Sequence, residues 1–242
     1  MKEHISRSCS MSTSHILVAV LFAGLFALFA GCTTAPLEHP SITPVGTPIP
    51  VENTTPVAWG FQGGGTMSLQ TDLGSGVFLV RMENIGTGSF QVEIKNDQYY
   101  QQIIRSRGVV NATQAIGIPV AGPYLMNVTS DGTWYITIAR PDENDPPIPP
   151  LTLSGTGYGA SGNITLESGN TSFSMENNGT GPFAVFLYNE TGGFVFDPTG
   201  TFIQPLHYHI GDYNGTVTVD IPDDGRYVAS IISDGAWQVA VA

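Results

Sequence analysis

The stretch Met82-Glu-Asn-Ile-Gly-Thr-Gly-Ser-Phe-Gln-Val92 returns as Met175-Glu-Asn-Asn-Gly-Thr-Gly-Pro-Phe-Ala-Val185, with eight of eleven positions identical at a separation of 93. A second pair follows in the same order. Ser130-Asp131-Gly132-x-Trp134 returns as Ser233-Asp234-Gly235-x-Trp237, at a separation of 103. Two ordered matches mark an internal duplication, so the folded part contains one module twice. The ten extra residues of the second copy are placed around Thr199–Gly215.

Within each copy the hydrophobic period is two. Phe90, Val92 and Ile94 alternate with Gln91 and Glu93, as Phe183, Val185 and Leu187 do in the second copy. Tyr124, Met126 and Val128 alternate, and so do Trp134, Ile136 and Ile138. Short runs of this kind between Gly-rich turns give antiparallel sheets with one buried face. The expected fold is all-β, two tandem related antiparallel β-sandwiches of jelly-roll or immunoglobulin-like layout. Asp131-Gly132 and Asp234-Gly235 read as turns, the Asp bonding its own backbone. Trp134 and Trp237 begin the last strand on the inward parity and read as core residues.

Ahead of the modules, Lys2 and Arg7 precede an apolar run, Ile16–Ala30. It is short for a bilayer span and suits a signal peptide. It ends Phe29-Ala30-Gly31-Cys32, which resembles the lipobox of prokaryotic lipoproteins. That resemblance implies cleavage before Cys32 and lipid attachment to its thiol. Phe29 departs from the aliphatic residue the family prefers there, and an uncleaved helical anchor is the other reading. Residues 33–56 hold six prolines among threonines, a polyproline-II stalk. Residues 141–150 hold five prolines and three acids, a stiff linker. The organisation expected is thus signal peptide 1–31, anchor cysteine and stalk 32–56, sandwich 57–140, linker 141–150 and sandwich 151–242.

After cleavage six bases face nineteen acids. Nucleic-acid binding needs a Lys/Arg face, so that class is excluded. Cys9 leaves with the signal and Cys32 carries the lipid, so neither a disulfide nor a thiolate metal site is expected.

Sequons occur at Asn53, Asn111, Asn127, Asn163, Asn170, Asn178, Asn189 and Asn214. Twelve asparagines in this chain would give roughly two by chance. Parity places Asn127 and Asn163 toward solvent, with the remaining sequons in turns or linkers able to carry glycans. The competing account is that turns simply prefer Asn, Gly and Thr. Dense sequons with a lipobox resemble an archaeal surface lipoprotein.

Catalytic signals are sparse. No Gly-x-Ser-x-Gly elbow is present, which argues against an activated serine. His207-Tyr-His209 would put two rings on one strand face but lacks the further ligands zinc or copper needs, and it is placed within the insertion as loop histidines. Asp142-Glu-Asn-Asp145 and Asp223-Asp224 could at most hold a structural calcium ion, and no cofactor is otherwise expected. Tyr99, Tyr100 and Tyr208 are candidate ligand-binding tyrosines.

The pattern Gly-x-Tyr…Ser-Asp-Gly-x-Trp after a Gly-Thr-Gly-x-Phe-x-Val strand resembles secreted prokaryotic β-sandwich modules, including pre-peptidase C-terminal and carbohydrate-binding-like domains. The resemblance implies fold and location, and no catalytic residue. The expectation is a non-enzymatic, lipid-anchored protein on the extracellular face of the membrane. Its partners would be the membrane, through the lipid, and envelope or surface-layer components or glycans. A carbohydrate- or ligand-binding module displayed there is the alternative.

Overall fold

A computed structural model describes residues 58–196 and 203–242. The signal segment, Cys32, the stalk and Asn53 lie outside the described residues. Alternating polarity is resolved into strands throughout, and no helix occurs among the described residues.

The first copy contains β1 (Ala58–Gly64), β2 (Met67–Leu73), β3 (Gly76–Asn84), β4 (Ser89–Lys95), β5 (Tyr100–Arg107), β6 (Val110–Ile118), β7 (Gly122–Thr129) and β8 (Thr133–Ala139). They form two four-stranded antiparallel sheets, ordered β1-β8-β3-β6 and β2-β7-β4-β5. This is the double Greek key of a jelly roll, and it removes the immunoglobulin-like alternative. The second copy contains β9 (Leu151–Thr156), β10 (Gly159–Ala160), β11 (Ile164–Leu166), β12 (Gly169–Asn177), β13 (Pro182–Asn189), β14 (His207–Ile210), β15 (Tyr213–Ile221), β16 (Gly225–Ile232) and β17 (Ala236–Val241). Its sheets run β15-β12-β17-β9 and β10-β16-β13-β14, with β11 also on β16. The topology is that of copy one with the second strand split into β10 and β11.

Each core is the inward parity of the two facing sheets. Phe78, Val80 and Met82 of β3 meet Phe90, Val92 and Ile94 of β4 in one cluster. Phe173 and Met175 meet Phe183, Val185 and Leu187 in the other. Trp134 and Trp237 are buried, and each occupies space left by glycine. A Cβ on Gly63 would lie 2.5 Å from the Trp134 ring, and one on Gly155 2.7 Å from Trp237. The indole Nε1 atoms donate to Gly65 O at 2.9 Å and Gly157 O at 2.8 Å. Tyr124 and Tyr227 are buried and donate their hydroxyls four residues back, to Val120 O and Asp223 O. That back-bonding tyrosine is a corner device of β-sandwiches.

The two jelly rolls are stacked within one compact unit. The outer face of the β1-β8-β3-β6 sheet lies on the outer face of the β10-β16-β13-β14 sheet, giving four layers. Val77 and Ala115 of copy one pack with Tyr188, Phe194 and Val228 of copy two in a third apolar cluster. Gln114 stitches the seam, donating to Ile231 O at 2.7 Å and Gly159 O at 3.1 Å and accepting from Ser230 Oγ at 3.1 Å. The linker is held to copy two as well: Thr165 N donates to Pro147 O and Asn163 Nδ2 to Asp142 O.

Candidate functional site

The residues that the duplication holds in common converge. In copy one, the Gly86-Thr87-Gly88 loop between β3 and β4 lies against the Ser130-Asp131-Gly132 turn between β7 and β8. Gly88 N donates to Asp131 Oδ2 at 2.7 Å, and Thr87 adds its N–H and hydroxyl at 3.3 and 3.1 Å. Ser130 Oγ donates to Asn84 Oδ1 at 2.7 Å, and Asn84 Nδ2 donates to Gly108 O. Three turns are thereby tied together. Copy two repeats every part: Gly181 N and Thr180 Oγ1 reach Asp234 Oδ2, Ser233 Oγ reaches Asn177 Oδ1, and Asn177 Nδ2 reaches Gly211 O. The approach requires glycine, since a Cβ on Gly132 would stand 2.5 Å from Gly86 Cα.

The Asp of each turn therefore does more than the local bonding expected of it, because its main partners lie more than forty residues away. Partial desolvation pulls the Asp131 carboxyl upward, but the N–H groups of Gly88 and Thr87 and the Thr87 hydroxyl hold it below the usual range. For Asp234 the Gly181 N–H leads the same lowering. Groups lowered in the fold stabilise it above their unfolded value and lose that contribution as pH falls through the folded one. The melting temperature is expected to drop as pH falls below about 4. Changing Asp131→Asn with Asp234→Asn should flatten that drop, measured by thermal denaturation from pH 7 to 3; an unchanged slope would contradict the assignment.

The histidine pair lies in β14 rather than in a loop. Ile210 pairs with Pro182 as Arg107 pairs with Ser89, which places β14 beyond the insertion, between β13 and β14. Both rings point to one face, 6.4 Å apart and nearly parallel, and Tyr213 packs 4.1 Å from His207. Burial, with His209 next to it, pushes His207 below its ordinary value, and its Nε2 has no partner. No group of three or more His, Cys, Asp or Glu arranged to hold a metal occurs among the described residues. Of the acids considered for calcium, Asp142 accepts from Asn144 and Asp224 from Ser168 N.

The candidate tyrosines separate. Tyr99 is not an open platform: its ring meets the edge of Tyr124 and its hydroxyl donates to Gln101, which donates onward to Tyr188. Tyr100 and Tyr208 are 54% and 56% exposed, on different sheets. Tyr100 donates to Glu93 at 3.1 Å. Two surface depressions also differ in position. One, of about 450 Å³, lies by Lys95–Gln98 and Ala121–Leu125 of copy one. The other, of about 480 Å³, lies by Glu176–Asn178 and Asp212–Asn214 of copy two.

Of the sequons, Asn163 does not face solvent. It is 8% exposed and its Nδ2 is bonded to Asp142 O. Parity fails there because β11 begins only at Ile164, so Asn163 belongs to the preceding loop. Asn127 is half-buried, bonded to Ser68 and Glu93. Asn111, Asn170, Asn178 and Asn214 are exposed, and Asn189 closes a turn with Thr191 and Gly193. Asn111, Asn170 and Asn214 stand inside strands, not in the turns expected for them.

No protein-family model and no curated protein sequence matches the chain. Among solved structures it is similar to a triple jelly-roll protein from the turret of an archaeal virus, with 15% identity and a TM-score of 0.30 over 74% of this chain and 52% of that one. The chain thus spans about half the length of the viral protein. It is similar also to the PBSX exported protein XepA, at 12% identity and a TM-score of 0.25, covering 80% of this chain and 89% of that one. A Paenibacillus xanthan lyase shows 11% identity and a TM-score of 0.20, with a quarter of its length covered.

Proposed function

We propose that the chain is a non-enzymatic, lipid-anchored surface protein, held on the extracellular face of the membrane by Cys32 and acting in envelope structure or surface interactions. The observation that carries this reading is the use made of the shared residues. Asn84, Ser130 and Asp131, with Asn177, Ser233 and Asp234, are bonded to one another and to neighbouring turns, so duplication has preserved a scaffold. Charge has diverged instead. Copy one carries five acids and five bases, copy two nine acids and one base. The stalk raises this acidic pair above the lipid, where envelope or surface-layer components are its partners. The lipobox, stalk and sequons together fit an archaeal lipoprotein.

Cell fractionation of a Cys32→Ala variant tests the anchor. The wild-type chain should sediment with membranes and the variant should not. Equal retention would instead favour the uncleaved helix. The exposure of Tyr100 and Tyr208 supports a second reading, display of a glycan-binding surface. Polysaccharide pull-down lost in Tyr100→Ala or Tyr208→Ala would favour it, and pull-down unaffected by both changes would remove it.

A further inference from the structure

Turn chemistry does not account for the sequons at Asn111, Asn170 and Asn214. These asparagines stand in β6, β12 and β15, and asparagine is depleted from strands. All three point outward and are exposed.

Their distribution follows which outer faces are covered. Asn170-Thr-Ser172 of β12 occupies the place of Val77-Phe-Leu79 in β3. In copy one this stretch is apolar, and Val77 and Leu79 pack in the seam against copy two. In copy two no module covers the same face among the described residues, and the stretch is a sequon. Asn111-Ala-Thr113 and Asn214-Gly-Thr216 occupy equivalent places in β6 and β15, where the asparagine is exposed in both copies, and both copies keep the sequon. The face around Asn170 and Asn214 is polar throughout: Ser174 and Thr216 share a hydrogen bond at 2.9 Å, and Asn214 Nδ2 reaches Glu176 at 3.2 Å. A heterologous contact between like modules propagates where the outer face stays apolar, and a polar outer face such as this one opposes it.

We propose that Asn111, Asn170 and Asn214 carry N-linked glycans, that buried Asn163 does not, and that the sugars at Asn170 and Asn214 cover the polar outer face of the β15-β12-β17-β9 sheet. The proposal rests on the extracytoplasmic reading above. In the modification, the amide nitrogen bonds to the anomeric carbon of a phosphate-activated, lipid-linked sugar supplied with its transferase. The anomeric C–O bond breaks, the lipid phosphate leaves with the electron pair, and one amide proton is lost to a base of the transferase. Neither oxidant nor reductant is consumed.

The test is peptide mass spectrometry of the full-length protein purified from the cells that make it, read beside its N-terminal peptide and beside Asn→Gln variants. Sugar mass is expected on the peptides of Asn111, Asn170 and Asn214 and none on that of Asn163. Each of Asn111→Gln, Asn170→Gln and Asn214→Gln should remove one increment of apparent mass. Bare asparagines on a chain that starts at lipid-modified Cys32 would overturn the glycan assignment and leave the anchor standing, as would sugar on Asn163. A bare chain retaining Met1 in the cytoplasm would overturn both.

Discussion

Trp134→Ala should destabilise the chain by about 3–5 kcal/mol, the range for removing a buried large aromatic without collapse of its site. Trp134 is fully buried, its ring lies over Gly63, and its Nε1 satisfies Gly65 O. Alanine would leave a cavity against a glycine and also orphan that carbonyl. Trp237→Ala should act in the same direction but less, because Trp237 retains 7% exposure. Denaturant unfolding followed by circular dichroism measures both. A loss of under about 1 kcal/mol at Trp134, typical of a surface position, would mean that the ring is not part of the core.

Gly117→Val isolates the seam. Gly117 lies on the outer parity of β6, and a Cβ there would overlap the carbonyl oxygen of Gly192 in copy two. Valine is a better strand residue than glycine, so in an isolated jelly roll the change would be neutral or stabilising. In the stacked pair it should cost about 1–3 kcal/mol or more, because backbone and not a flexible side chain must move. Limited proteolysis should cut the linker around residues 141–150 faster in the variant. Unchanged or raised stability would show that the copies do not hold each other.

Period-two alternation made the strands legible, and the doubled motifs made the repeat legible, because both are local patterns in chain order. The inward parity of Trp134 and Trp237 followed from the same pattern. Strand connection order is not encoded in periodicity, so jelly-roll and immunoglobulin-like layouts were distinguished only by the β1-β8-β3-β6 pairing. The bonds of Asp131 to Thr87 and Gly88 cross from one turn to another. Their one trace in the sequence is that both motifs are conserved between copies. Gly63 and Gly155, 92 apart, carried a similar trace, the space for each tryptophan. His207 and His209 fall within the stretch between Val185 and Tyr227, which is as finely as the two motif separations bracket the insertion. Parity misplaced Asn163 because it applies within a strand and β11 had not begun. The seam was the least legible feature: Val77, Leu79 and Ala115 are ordinary strand residues until set against Asn170, Ser172 and Thr218 at the same places in copy two.

The role proposed for the chain stands on its attachment outside the cell, and the mass of the N-terminal peptide of the native protein tests that most directly. A peptide beginning at Cys32 with lipid mass on the thiol is the predicted result. A peptide beginning at Met1, or an unmodified Cys32 on a chain recovered from the cytoplasm, would contradict it.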